Sequence, residues 1–119
     1  MSNITSKETE GVSVVSFNGR IVLGFESAAF RECVKSLLSN GGKKIVLNMS
    51  NVTYIDSSGL GMLVALHVSA NNQSAELHLS NLGGKFKDVL QLTRLFTVFN
   101  VFSTEVEAVR GFRPAAISA

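Results

Sequence analysis

Cysteine occurs once in the 119 residues, at Cys33, so an internal disulfide and a multi-cysteine metal site are both excluded. Its spacing from Phe30 and Leu37 makes it a small core residue. Proline also occurs once, within the last eight residues, 112–119, which show no periodicity and are expected to form a loose tail after a domain at 1–111. Charge of one sign is scarce: the net charge is +2, and Lys43-Lys44 is the only adjacent basic pair, so the stripe that tracks nucleic-acid phosphates is missing. The longest apolar run, Gly59 to Leu66, falls far short of the ~20 residues of a membrane span. Met1 to Thr5 carries no basic-then-apolar signal, and a cytoplasmic location without membrane attachment is expected.

What is present is a hydrophobic share of 45% with 17% charged residues, enough for one domain with a single core. Ile4 to Thr9 and the β-branched run Gly11 to Gly19, closed by its glycine, read as strands, and a tight turn at Glu10-Gly11 makes them antiparallel. Phe30, Cys33, Val34, Leu37 and Leu38 fall on one face of a helix that Asn40-Gly41-Gly42 stops. Lys44 to Met49 is a short apolar strand of the kind buried on both faces, the expected centre of the sheet. A helix then runs from about Leu60 to Asn71-Asn72, and Glu76 to Ser80 alternates like a strand. Gly83-Gly84 opens a helix with Phe86, Val89, Leu90 and Thr93 on one stripe, and Phe96 to Phe102 reads as the last strand. Thr104 with Glu107 starts a short final helix through a capping box. This order predicts an α/β domain whose functional groups sit in loops beyond the carboxyl ends of strands.

Such a loop is Asp56-Ser57-Ser58-Gly59, where a strand pattern gives way to a helical one. A serine-nucleophile elbow requires glycine on both sides of the serine, but position 55 is Ile55, and His67 and His78 both precede Asp88, the wrong order for that fold. The dinucleotide fingerprint begun by Gly59-Leu60-Gly61 fails at Val64, and neither Gly42-Lys43 nor Gly84-Lys85 is followed by serine or threonine. His67 and His78 lie on different elements without a carboxylate spaced for ligation. His67 is expected at the core edge, and His78 is expected to find water or a backbone partner. No catalytic, cofactor or metal site is therefore expected. Two readings stay open: Ser57 or Ser58 caps the helix, or the accessible serine is modified by another protein.

The stretch Ile55-Asp56-Ser57-Ser58-Gly59-Leu60-Gly61-Met62-Leu63 closely resembles the signature of STAS-domain anti-anti-sigma factors, also called anti-sigma factor antagonists. Asn18-Gly19-Arg20, the run Lys44 to Val52, and the run Leu90 to Phe99 resemble the same family in order and spacing. The resemblance spans about residues 4 to 110. It implies a STAS-like single domain, a mixed central sheet with about four helices mostly on one side. It also implies a non-enzymatic binding module, a monomer or weak dimer, phosphorylated at Ser57, with Ser58 as the second candidate. The implied partners are a serine kinase that is also an anti-sigma factor, with a GHKL-type ATPase fold, and a PP2C-type phosphatase. The unphosphorylated form captures the kinase and frees the sigma factor. The alternative within the family is a ligand-binding or targeting module with a structural serine loop. Some members carry an acid shortly after the glycine matching Gly19, whereas here the first acid after Gly19 is Glu26. The expected partner surface comprises Asp56, Ser57, Ser58, Gly59, Leu60, Gly61, Met62 and Leu66. Leu60, Leu63, Val64 and His67 are expected to face the core, leaving Met62 and Leu66 exposed.

Overall fold

Residues 3–22 and 24–112 are described by the structure, a computed structural model. Strands β1 (Ile4–Thr9) and β2 (Val12–Phe17) form an antiparallel hairpin. Its two-residue turn has Glu10 at φ 51° and Gly11 at φ 77°, both left-handed, the geometry whose twist matches that of the flanking strands. The short strand β3 (Gly19–Ile21) and helix α1 (Phe25–Ser39) follow, then β4 (Lys44–Asn48), β5 (Val52–Ile55) and helix α2 (Ser57–Asn72). The chain continues through β6 (Glu76–Ser80), α3 (Gly84–Leu92), a 3-10 turn at Leu95–Thr97, β7 (Asn100–Phe102) and α4 (Glu105–Arg110).

The main sheet has the order β1-β2-β4-β6-β7, mixed because only the β1–β2 pair is antiparallel. As expected, β4 is its centre, and Ile45, Val46 and Leu47 are wholly buried because both faces are covered. Strands β3 and β5 form a separate two-stranded parallel sheet, which periodicity alone does not reveal. The single core that was expected is two apolar clusters, since side chains alternate across the sheet. The larger lies under α1, α2 and α3, with Phe30, Val34, Leu63, Leu66, Phe86 and Leu90 against Ile45, Leu47, Leu77 and Leu79. The smaller joins Val12, Val14 and Val46 to Ala108 and Val109 of α4 and to Phe112.

Two expectations need correction here. The strand read from Phe96 to Phe102 is confined to β7. Arg94 turns left-handed at φ 63°, and Leu95 and Phe96 reach the main cluster from the 3-10 turn without entering a ladder. Phe112 does not belong to a loose tail. It is 8% exposed and stacks on His78, with ring centroids 3.7 Å apart and planes within 4°. The remainder of the expected tail, 113–119, lies outside the described residues. His78 finds the backbone partner expected of it, Nδ1 lying 2.9 Å from the Ala108 carbonyl oxygen.

Thr104 caps α4, its hydroxyl accepting from the Glu107 N–H at 3.2 Å. Beside it, Glu105 ties three elements together: Lys7 Nζ lies 2.8 Å from one carboxylate oxygen, and Asn48 Nδ2 donates to the other at 2.9 Å. The hydrogen bond from Lys7, then that from Asn48, holds the Glu105 carboxyl below its ordinary range against the opposing effect of burial. A carboxyl depressed on folding binds its proton more readily in the unfolded chain, so its contribution is complete above the unfolded value and fades as pH falls through the folded one. Urea midpoints measured on descending below about pH 4 are therefore expected to fall less steeply for Glu105→Gln than for the parent. Parallel pH profiles would rule out this linkage.

Candidate functional site at the start of helix α2

The second sheet exists to present one loop. Gly19 N–H donates to the Asn51 carbonyl at 3.0 Å and Asp56 N–H to the Ile21 carbonyl at 3.3 Å, so β3 and β5 hold both ends of the approach to α2. Gly59 is required by the same contact. A Cβ there would lie 2.1 Å from the Ile21 carbonyl oxygen, far inside any non-bonded distance, so the first turn of α2 and the end of β3 approach closely only because position 59 has no side chain.

Asp56 is the helix cap. Its backbone is extended and its Oδ1 accepts from the Gly59 N–H at 2.8 Å. This removes the first of the two open readings of the serines, since neither Ser57 nor Ser58 is the cap. Both are exposed, and among the described residues neither hydroxyl has a hydrogen-bond partner. The first turn of α2 contains no acid. Its free N–H groups and the helix dipole therefore favour an added anion there. Replacing Asp56 with alanine is expected to cost about 1 kcal/mol in urea denaturation, and Asp56→Asn is expected to keep most of it. Equal loss in both variants would show that the cap hydrogen bond is not the cause.

The predicted partner surface is only partly assembled as expected. Gly61 is exposed and Met62 half-buried, next to Asp56, Ser57 and Ser58. Leu66 must be withdrawn from it: the side chain is 1% exposed and lies in the main cluster. Gly59 and Leu60 are also buried, so they shape the loop from beneath. The buried stripe of α2 runs through Leu60, Leu63, Leu66, His67 and Ala70, because the helix packs on both the sheet and α1, while Val64 is only half-buried. His67 sits at the core edge as expected, 9% exposed, and burial lowers its pKa.

Sequence reasoning did not find two neighbours of the loop. A cleft of about 260 Å³ separates α1 from the start of α2, with Val22, Ala28, Arg31, Ser58 and Met62 on its walls. Arg31 and Ser58 thus line one cleft, although they are too far apart in the chain for spacing to reveal it. On the other side Arg20 lies over the Tyr54 ring, 5.6 Å from its centroid, with Tyr54 52% exposed. Among the described residues, no group of three or more His, Cys, Asp or Glu could hold a metal ion, and no helix is long and apolar enough to cross a membrane.

A mixed sheet with three helices on one face is matched by known proteins. The family model described as STAS domain covers residues 3–108. The chain belongs to the STAS-domain family. Among STAS relatives, an anti-sigma-B factor antagonist of Staphylococcus aureus is 30% identical over 77 residues, 64% of this chain and 71% of that protein. An anti-sigma F factor antagonist of Paenibacillus polymyxa is 22% identical over 89% of this chain and 91% of its own. The chain spans 58% of the length of a STAS-domain protein of Pseudomonas aeruginosa, at 30% identity over 59 residues. A crystal structure described as an anti-sigma factor antagonist from Thermotoga maritima superposes with a TM-score of 0.85 at 27% identity, covering 93% of this chain and 95% of that one. The Bacillus protein SpoIIAA, solved in phosphorylated and unphosphorylated forms, shares the STAS fold at TM-scores of 0.71 and 0.70 with 20% identity, covering 92% of this chain and 99% of each.

Proposed function

We propose that this STAS-domain protein is an anti-sigma factor antagonist, a binding module whose partner is released when Ser57 is phosphorylated. The observation that carries the reading is the division of roles in the loop: Asp56 holds the helix start, and the Ser57 hydroxyl is exposed and uncommitted. The relatives named as antagonists support the same class, and SpoIIAA provides a protein of this fold that exists with and without phosphate. The partner is a serine kinase of GHKL-type ATPase fold that also acts as an anti-sigma factor, and a PP2C-type phosphatase removes the phosphate. In the unphosphorylated state the loop and the adjoining Gly61 and Met62 dock on the kinase, which then lets go of its sigma factor. A phosphoryl group brings roughly −1.5 to −2 charges to that surface, and a docked face that has no cation for it desolvates the charge at a loss. The protein performs no reaction of its own.

Incubation with the cognate kinase and ATP is expected to add one phosphoryl group by intact mass, and Ser57→Ala is expected to take up none. Undiminished phosphorylation of Ser57→Ala would move the site elsewhere, Ser58 being the first place to look.

A further inference from the structure

A second recognition element lies on the opposite side of β5 from β3. A cavity of about 360 Å³ is walled by Val52, Thr53, Tyr54 and Ile55 on one side and by the beginning of α3, with Lys85, Phe86 and Val89, on the other. Successive residues of a strand point to opposite faces. A cavity that touches four in a row therefore meets the strand along its edge. Among the described residues β5 pairs only with β3, so its other edge has no ladder partner. The backbone bonds made by residues 52–56 outside that ladder are a turn bond from Val52 N–H to the Met49 carbonyl, the Asp56–Ile21 bond and the bond from Leu60 N–H to the Asp56 carbonyl, and none reaches α3. An open edge next to a helix is the arrangement into which an extended chain adds as a strand, its main chain giving affinity and its alternate side chains specificity.

The walls select the occupant. Val52, Ile55, Phe86 and Val89 offer apolar contact, whereas the one charged residue of the lining is Lys85. No acidic side chain lines the cavity. We propose that this groove receives an extended segment of a partner protein, added beside β5 as a third strand, with apolar side chains at alternate positions and a carboxylate against Lys85. The groove's strand leads into the serine loop, Ile55 directly preceding Asp56. Occupation of the groove nevertheless does not depend on Ser57 being a phosphorylation site.

Amide spectra of the isotope-labelled full chain, titrated with an acetylated peptide of alternating valine and glutamate, test the idea. Saturable shifts are expected at residues 52–55 and 83–89, with slowed amide exchange at Thr53 and Ile55, whose N–H groups alternate with that of Asp56, which points toward β3. Methylating alternate peptide nitrogens is expected to abolish those shifts, because strand pairing needs them. Lys85 is exposed, so Lys85→Glu should keep the parent's melting temperature while weakening the peptide about fivefold or more and favouring a valine–lysine peptide instead. The proposal is overturned by an absence of shifts at millimolar peptide, by equal binding of the methylated peptide, or by octanoate filling the groove while the peptide does not.

Discussion

Ser57→Glu is expected to lose affinity for the serine kinase by about 30-fold or more, the equivalent of the 2–5 kcal/mol that an unpaired charge in an interface costs. The effect is a property of the docked surface and not of the fold. Ser57 occupies the first turn of α2, where a negative side chain interacts favourably with the helix dipole by about 0.3–1 kcal/mol. The same variant is therefore expected to melt no lower than the parent. Calorimetric titration of the kinase, paired with thermal denaturation of the variant alone, separates the two. Ser57→Ala provides the neutral comparison and is expected to bind within a few-fold of the parent. Equal affinity of the glutamate variant and the parent would end the charge-switch reading, whereas a collapse of stability would show that the loop cannot carry an anion at all.

Gly59→Ala is expected to destabilise the protein by about 2 kcal/mol or more, although alanine is the better helix former. The added methyl would lie 2.1 Å from the Ile21 carbonyl oxygen, 2.9 Å from its carbonyl carbon and 2.8 Å from its Cγ2. Two of these are backbone atoms of β3, which is itself tied to β5, so relief requires one strand or the helix to move. Gly61, two residues on in the same helix, would place a Cβ in open space. Gly61→Ala is accordingly expected to stabilise by up to about 1 kcal/mol. Urea denaturation of the pair isolates the close approach from helix propensity. Stabilisation by both substitutions would mean that β3 does not press on the first turn of α2.

Much of this architecture is written in local pattern. The Glu10-Gly11 turn, the doubly buried run of β4 and the Thr104–Glu107 cap each depend on residues within a few positions of one another, and each is where the pattern places it. The second sheet was not legible, because strands of three and four residues are too short to show a period and are held by pairing across the chain. The orientation of α2 was misread at Leu66 for a related reason. A helix that is apolar on most sides carries little information about which side faces the core, and its contact with α1 decides the matter. In the loop, the sequence pattern located the serines but left open which residue caps the helix. The Asp56 Oδ1 bond to Gly59 is a matter of backbone geometry, since an extended residue before a helix can cap with an aspartate as readily as with a serine.

That Asp56, and not Ser57, secures the start of α2 also bears on how often the protein can be used. Phosphorylation of Ser57, as proposed, would leave the helix's own anchoring bond intact, so each cycle of phosphate addition and removal would begin and end in the same conformation. A device built this way keeps no record of its past states. Under the proposed switch its output at any moment would follow the current balance of kinase and phosphatase, with no slow refolding step to delay a reversal.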